Sequence, residues 1–257
     1  MIGITIGINS DYEILAELSA RCFSETTGLD AIVLTRKELS QKNLSHPASL
    51  KLFAFDFAKD DCIVYFDADW FCTDAWSPMQ YRNEESIISC RDFILTSDWP
   101  NQYSNDNFDE IENASHEDNP FVKISNRVRE NYVSEIKKFA NLKYECIQWI
   151  NTGFWIANKS HHLKWLLESR NCYFNKIGHH PEYYEQPAMN KAIEVLGVPV
   201  KFLPRKFNVL IGTRSVWPPC LIGLHVKVKH HADFVNKVTK HQIKTVTQVR
   251  NYFIDND

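Results

Sequence analysis

The segment Cys62-Ile63-Val64-Tyr65-Phe66 runs straight into Asp67-Ala68-Asp69, and this junction constrains the fold more than any other feature of the chain. An apolar run of this length with no polar alternation reads as a strand covered on both faces. Such a strand sits inside a sheet flanked by helices. Asp67 and Asp69 then stand at its carboxyl end, where open α/β sheets collect their ligands. Two neighbouring carboxylates repel each other unless something relieves them. One hard divalent cation shared between them would do so, and it could also neutralise a bound diphosphate. By spacing alone the pair could equally be two solvated acids.

The residues before the junction say what surrounds that strand. Residues 2–8 are Ile-rich and predict a buried strand. Ser10 or Asp11 can cap a helix whose Ile14, Leu15, Leu18 and Cys22 recur at helical spacing, and Gly28 stops it. Residues 31–35 predict a second strand, and Pro47 opens a second helix through about Ala58. Strand, helix, strand, helix, strand is the pattern of a parallel sheet covered by helices. Further on, the pattern predicts a short helix from Asp74, a strand at 86–90 and a helix over 121–140. A strand pair or one bent strand follows at 146–157, then helices at about 160–170 and 185–196, a strand at 198–203 and a C-terminal helix over about 232–253. With 257 residues, 44% of them hydrophobic, the chain can bury one sizeable core. The predicted fold class is α/β: a single domain with a mixed, mostly parallel central sheet flanked by helices.

A formal net charge of -3 gives no global electrostatic case for nucleic acid or anionic membrane. The charge is nonetheless uneven. Residues 97–120 hold seven acids and no Lys or Arg: Asp98, Asp106, Asp109, Glu110, Glu112, Glu117 and Asp118. They read as an acidic loop, either a lid or a plain solvated insertion. Residues 201–250 are rich in Lys and Arg, with Asp233 the sole acid. A helix docked on the core is the default reading of the end of that stretch, with contact to a membrane surface or nucleic acid the minor alternative. The seven cysteines include no C-x-x-C pair and read as reduced buried thiols. The opening residues read as a strand, not a signal peptide, and no stretch is long and apolar enough to span a bilayer. The expected localisation is cytoplasmic.

Several segments, in order, resemble the GT-A glycosyltransferases with a DxD motif, and most of all the galactosyltransferase and glycogenin-like (family 8-like) group. ITIGINSDYEILAELSARC is similar to the opening strand and helix that hold the nucleotide base, and SLKLFAFDFAKDDCIVYFDADWF to the helix leading into the DxD strand. INTGFWIAN (150–158) resembles the N-[ST]-G strand, EQPAMNKAI (185–193) the D-Q-x-x-x-N helix start, and KFLPRKFN (201–208) a strand and turn that follow it. LHVKVKHH (224–231) resembles the segment carrying the last metal ligand. The resemblance covers most of the chain. It divides the domain into a nucleotide-binding half over about 1–95, an acceptor-side half over about 120–231 and the C-terminal helix.

The resemblance implies a role for each matching residue. Asp67, Asp69 and His225 would hold Mn²⁺ (or Mg²⁺), with Asp67 alternatively touching the ribose. Asn9 and Tyr12 would sit by the base, and Lys51 would face the donor. Asn151, Thr152 and Gly153 would line the sugar and acceptor side, with Gly153 admitting a close backbone approach. Glu185 and Gln186 occupy the reaction-centre pair. Here Glu185 and Pro187 depart from the family pattern. A glutamate could bind donor hydroxyls or serve as a general base, whereas Gln186 could only stabilise charge at the anomeric carbon. Lys227 or Lys229 would meet the leaving diphosphate, although Val228 stands where the family has glycine. Trp217, Pro218 and Pro219 would wall the site. Trp149 and Trp155 do not share one face, so at most one could stack on a sugar and the other belongs to the core.

These residues imply a transferase moving a sugar from a nucleotide-diphosphate donor, a UDP-sugar by family default, to a glycan or other hydroxyl acceptor. Gln186 tilts the expectation toward retention of anomeric configuration. The competing readings are a nucleotide-sugar-binding protein that has lost turnover, and a metal-dependent nucleotidyl- or phosphoryl-transfer enzyme built on Asp67 and Asp69.

Overall fold

A computed structural model describes residues 1–92, 134–142, 149–181, 183–211, 221–226 and 231–254. Strand β1 (Ile2–Ile6) leads into helix α1 (Ser10–Thr27), strand β2 (Ala31–Leu34) and helix α2 (Arg36–Gln41). A 3₁₀ turn over Pro47–Phe53 runs on into α3 (Ala54–Phe57), and strand β3 (Cys62–Phe66) follows. Helix α1 ends at Gly28, whose φ of 72° is the left-handed cap that glycine adopts at little cost. Helix α2, which the sequence reading does not foresee, starts on a capping box. The Thr35 hydroxyl accepts from Lys37 N, and the Glu38 carboxylate accepts from Thr35 N at 2.8 Å.

Six strands form one sheet in the order β2-β1-β3-β6-β5-β7, with β5 at Ile87–Arg91, β6 at Ile150–Asn158 and β7 at Val200–Phe202. The β1–β2, β1–β3 and β5–β7 pairs are parallel, while β6 runs antiparallel to both β3 and β5. The sheet is therefore mixed and mostly parallel, as predicted. Helices α4 (Lys159–Asn171) and α5 (Gln186–Leu196) pack on each other and on β6, and α1 packs on β1 and β2.

Strand β3 is buried along its whole length. Ile63 and Tyr65 join Leu50, Phe55, Trp155 and Trp165 on one face. Cys62, Val64 and Phe66 join Phe23, Trp70 and Phe154 on the other. Each fully buried side chain of the Val, Ile or Phe class contributes about 1.5–3 kcal/mol, so both faces hold the strand in register and fix Asp67 as the residue just beyond it.

A second sheet of three short strands has the order β4-β9-β8, with β4 at Trp70–Cys72, β8 at Val209–Ile211 and β9 at Gly223–Val226. β9 is antiparallel to β4 and parallel to β8. The small sheet packs on α1 and on two C-terminal helices, α6 (Ala232–Thr239) and α7 (Val246–Phe253), through Leu15, Leu18, Phe71, Leu224, Phe234 and Val249.

Several expectations need correction. The C-terminal helix is two helices, broken where His241 takes a φ of 58° and restarted at Thr245, whose hydroxyl accepts from Gln248 N. α1 is preceded by Asn9 at its cap position, with no side-chain capping bond, in place of Ser10 or Asp11. Asp74 starts no helix. β4 ends at Cys72, and the next turn of helix is 3₁₀, at Pro78–Tyr81. The stretch at 150–158 is one strand, and the irregularity lies in its pairing with β5, which shifts between Ser89 and Cys90. Trp149 and Trp155 are both fully buried, because β6 is covered on both faces, so neither is a sugar platform.

Residues 134–140 are helical, within the predicted 121–140 span. The acidic 97–120 segment, Trp217, Pro218, Pro219, Lys227 and Lys229 lie outside the described residues. Cys22, Cys62, Cys72, Cys90 and Cys172 are buried and unbridged. Among the described residues no helix is long and apolar enough to cross a membrane.

Candidate active site

Past Phe66 the chain turns at once. Trp70 N donates to Asp67 O at 3.0 Å, which folds Asp67-Ala68-Asp69 into a tight reversal at the carboxyl end of β3. On one side lies the start of antiparallel β6, where Asp67 N donates to Gly153 O at 2.9 Å. On the other lies β9, with Val226 N donating to Asp69 O at 2.7 Å and Trp70 paired with His225. His225 Nε2 thereby comes within 3.3 Å of Asp69 Oδ1. Asp67, Asp69 and His225 each offer one ligand atom, and these atoms all lie within 4.8 Å of one another. Two carboxylates and one imidazole form a donor set that hard divalent ions of the Mn²⁺ or Mg²⁺ kind accept, with coordination positions left for a ligand's oxygens.

Gly153 sits under this group. A Cβ there would lie 2.8 Å from Asp67 Oδ2, 2.8 Å from His225 Cε1 and 2.9 Å from Asn151 Oδ1. The close approach that demands glycine is thus made by the candidate metal ligands themselves, where the sequence reading expects a substrate. Asn151 Oδ1 also accepts from Gly153 N at 3.0 Å, within the part of β6 where its pairing with β5 shifts.

The Asp67 carboxylate is held through Oδ1, which accepts from Lys51 Nζ at 3.0 Å and from the Tyr65 hydroxyl at 2.9 Å. Tyr65 can reach it because residues two apart on a strand share a face. Lys51 is not a solvated helix lysine. It is 4% exposed, lies over the Tyr65 ring at 4.9 Å and bridges from Asp67 to Glu185 Oε1 at 2.5 Å. Glu185, itself 2% exposed, also accepts from the Thr152 hydroxyl at 3.0 Å on that same Oε1.

Gln186 is engaged at both ends of its amide. Oε1 accepts from Thr152 N at 3.1 Å, and Nε2 donates to Asp92 Oδ2 at 2.7 Å. Asn190, one turn further along α5, donates to Ile150 O at 3.1 Å and accepts from Ile150 N at 2.9 Å, locking the start of α5 to the start of β6. Thr152 is buried, with its hydroxyl turned to Glu185, so it braces the site from behind. Asn9 is exposed at the head of α1. Tyr12, 39% exposed in the first turn, stands close enough to feel both acids.

The electrostatics follow from this crowding. Burial works to raise the Asp67 carboxyl, but the Lys51 ammonium, His225 and the bonds from Lys51 and Tyr65 outweigh it and hold the group below the usual carboxylate range. Burial works against the Lys51 charge, and Asp67 and Glu185 override it, so the ammonium is held more firmly than usual. For His225, burial would lower the pKa, yet the Asp69 carboxylate, then Asp67, raise it despite Lys51. The Tyr12 hydroxyl is pushed up to about 12, by burial first and then by Asp69, Tyr184 and Asp67.

Asp92, Asn208 and Tyr65 belong to this site without a role from sequence, and Asn190 entered only as the last position of the D-Q-x-x-x-N match. Only Tyr65 carried a local signal, a polar tip two residues before an acid on the same strand face. Asn208 Oδ1 lies 3.1 Å from His225 Nδ1.

Neither a protein-family model nor a curated protein matches the chain. Solved structures do. The galactosyltransferase LgtC, in complex with donor and acceptor sugar analogues, matches at a TM-score of 0.54 and 11% identity, over 94% of this chain and 96% of that one. A glycosyltransferase involved in glycosylation of the major capsid of PBCV-1 matches at 0.51 and 11%, over 93% and 98%. The bifunctional glycosyltransferase WbbM matches at 0.54 and 15%, over 95% of this chain, which spans 45% of the WbbM chain. The chain therefore has the fold of the GT-A glycosyltransferases.

Proposed function

We propose that the protein is a divalent-metal-dependent glycosyltransferase that moves a sugar from a nucleotide-diphosphate donor, a UDP-sugar, to a hydroxyl of a glycan or other acceptor. The observation that carries this reading is the convergence of Asp67, Asp69 and His225, drawn from two different sheets, at the carboxyl end of the central strand of a glycosyltransferase fold. Those three residues would hold Mn²⁺ or Mg²⁺, which when bound supplies positive charge for the donor diphosphate as it leaves.

The chain's own residues supply the rest. Lys51 keeps Asp67 ionised and ties it to Glu185, so the two carboxylates are set at a fixed separation. Lys51 and Thr152 both take Glu185 through Oε1, and among the described residues no partner bonds Oε2. We assign Oε2 to a hydroxyl of the donor sugar. Gln186, held between Thr152 and Asp92, keeps the Glu185 backbone in place at the head of α5. Tyr12 and Asn9, at the mouth of the same strand ends, are assigned to the base. We read the transfer as retaining, on Gln186 at the reaction-centre position.

The test is a panel of nucleotide-sugars with Mn²⁺, read by thermal shift and by donor hydrolysis, with Asp69→Ala beside the wild type. The expected result is nucleoside diphosphate release that EDTA abolishes and Mn²⁺ restores, and a fall of about 10²–10³-fold in the folded Asp69→Ala variant. Unchanged turnover in that variant, or full activity in chelator, contradicts the reading. Release of pyrophosphate assigns the acids to phosphoryl transfer, and donor binding without turnover across an acceptor panel assigns the chain to nucleotide-sugar binding.

A further inference from the structure

Asn208 closes the KFLPRKFN segment, a motif that the function proposed above leaves without a role. It stands between the 3₁₀ turn at Arg205–Phe207 and the start of β8, and it is buried. Its Oδ1 lies 3.1 Å from Nδ1 of His225, while the opposite ring nitrogen, Nε2, lies 3.3 Å from Asp69 Oδ1. The small sheet explains the arrangement. β9 runs between β4 and β8, with His225 opposite Trp70 on one side and opposite Leu210 on the other. Asp69 immediately precedes β4 and Asn208 immediately precedes β8, so the two flank the His225 ring.

We propose that Asn208 is a positioning residue for the metal centre. Its carboxamide oxygen holds the proton on His225 Nδ1 and so leaves Nε2, the nitrogen beside Asp69, to the cation. The inference rests on Asp67, Asp69 and His225 being the metal site. A carbonyl oxygen only accepts, so its partner at 3.1 Å must be an N–H. Nε2 also faces an acceptor, Asp69 Oδ1 at 3.3 Å, so in the metal-free protein both ring nitrogens carry a proton; a bound cation would take the place of the Nε2 proton, and the Nδ1–H held by Asn208 is the one that stays. Asn208 touches neither cation nor substrate and acts through the ring alone. Residues that orient a ligating histidine in this way typically account for about 10–100-fold in metal affinity.

The test uses Mn²⁺ itself as the probe. Metal-free wild type, Asn208→Leu and Asn208→Asp are titrated with Mn²⁺ and the free ion is followed by electron paramagnetic resonance. Leucine is close in size and has no acceptor, so its affinity is expected to fall about 10–100-fold. Aspartate keeps an acceptor oxygen and is expected to match or exceed wild type. If the leucine variant does not fold, Asn208→Ser, too short to reach Nδ1, replaces it. In the protein loaded with diamagnetic Mg²⁺, ¹⁵N shifts of the His225 ring should show a protonated Nδ1 and a ligated Nε2 in wild type, and the ligated Nε2 signal should be lost in the leucine variant at the same Mg²⁺ concentration.

A folded leucine or serine variant that binds Mn²⁺ as wild type does overturns the proposal, as does an unprotonated Nδ1 in the Mg²⁺-loaded wild type. A wild type that binds no Mn²⁺ is a separate failure. It overturns the metal-centre reading itself, and this role with it, whatever the tautomer.

Discussion

Replacing Gly153 by alanine tests whether β6 is shaped around the acidic centre. The added methyl would sit 2.8 Å from both Asp67 Oδ2 and His225 Cε1, whereas ordinary contact begins at 3.4 Å, so these neighbours must yield by about 0.6 Å (3.4 − 2.8). Neither can yield freely. Asp67 is held by Lys51 and Tyr65, and His225 is fixed in β9 between two strands. Overpacking of this kind costs about 1–3 kcal/mol. The cost divides between two readouts. If Asp67 and His225 stay, the metal-free protein loses stability, and for a domain of this size each kcal/mol lowers Tm by about 2–4 °C. If they move aside, the melt is spared, and pulling them back onto a cation weakens Mn²⁺ binding by up to about 5–150-fold, the same energy expressed as affinity. Melts of the metal-free protein and Mn²⁺ titrations of the same samples should together recover the 1–3 kcal/mol. Wild-type values in both would refute the reasoning, because the alanine Cβ would then fit where the structure leaves no room.

Two further predictions follow from the buried charges. Lys51→Met leaves buried Glu185 and half-buried Asp67 without their cation, and breaking a buried pair such as Lys51–Glu185 costs about 3–5 kcal/mol; urea unfolding of the metal-free variant should show that loss, and an unchanged midpoint would mean that water already satisfies the two acids. The raised His225 pKa sets a pH dependence of definite sign. In the metal-free protein its stabilising charge is fully present below the ordinary histidine value of about 6.5 and is lost as pH rises through the raised folded value. A cation needs the neutral ring, so Mn²⁺ affinity should climb with pH by up to about tenfold per unit and level off above that folded value. A titration series from acid to alkaline pH reads the slope, and a flat profile would exclude His225 as a ligand.

The parts of this structure that were legible in the sequence are those where local pattern and burial agree. β3 announced itself because both its faces are buried and it ends in acids, and the first three strands could be ordered because helical and strand periodicities alternate cleanly there. The small sheet could not be read. Its strands are three or four residues long, too short for any periodicity, and the pairing of Trp70 with His225 joins positions far apart in the chain. His225 was reached only through family resemblance for that reason. Asp92 carries no local mark of function and Asn208 only its place at the end of KFLPRKFN, because each matters through a residue brought to it by the fold. By resemblance Lys51 faces the donor, with a solvated helix lysine the alternative, and only the fold shows it buried between two acids. The break at His241 was missed because Val235, Val238, Val246 and Val249 keep a nearly helical spacing across it.

The central claim is that Asp67, Asp69 and His225 jointly grip a cation that grips a diphosphate. Diffraction from crystals soaked with Mn²⁺ and UDP, collected at the manganese absorption edge, tests it most directly. The account predicts a single strong anomalous peak within ligand distance of all three side chains, with diphosphate oxygens completing its coordination. A peak elsewhere on the molecule, or UDP bound away from the end of β3, would contradict it.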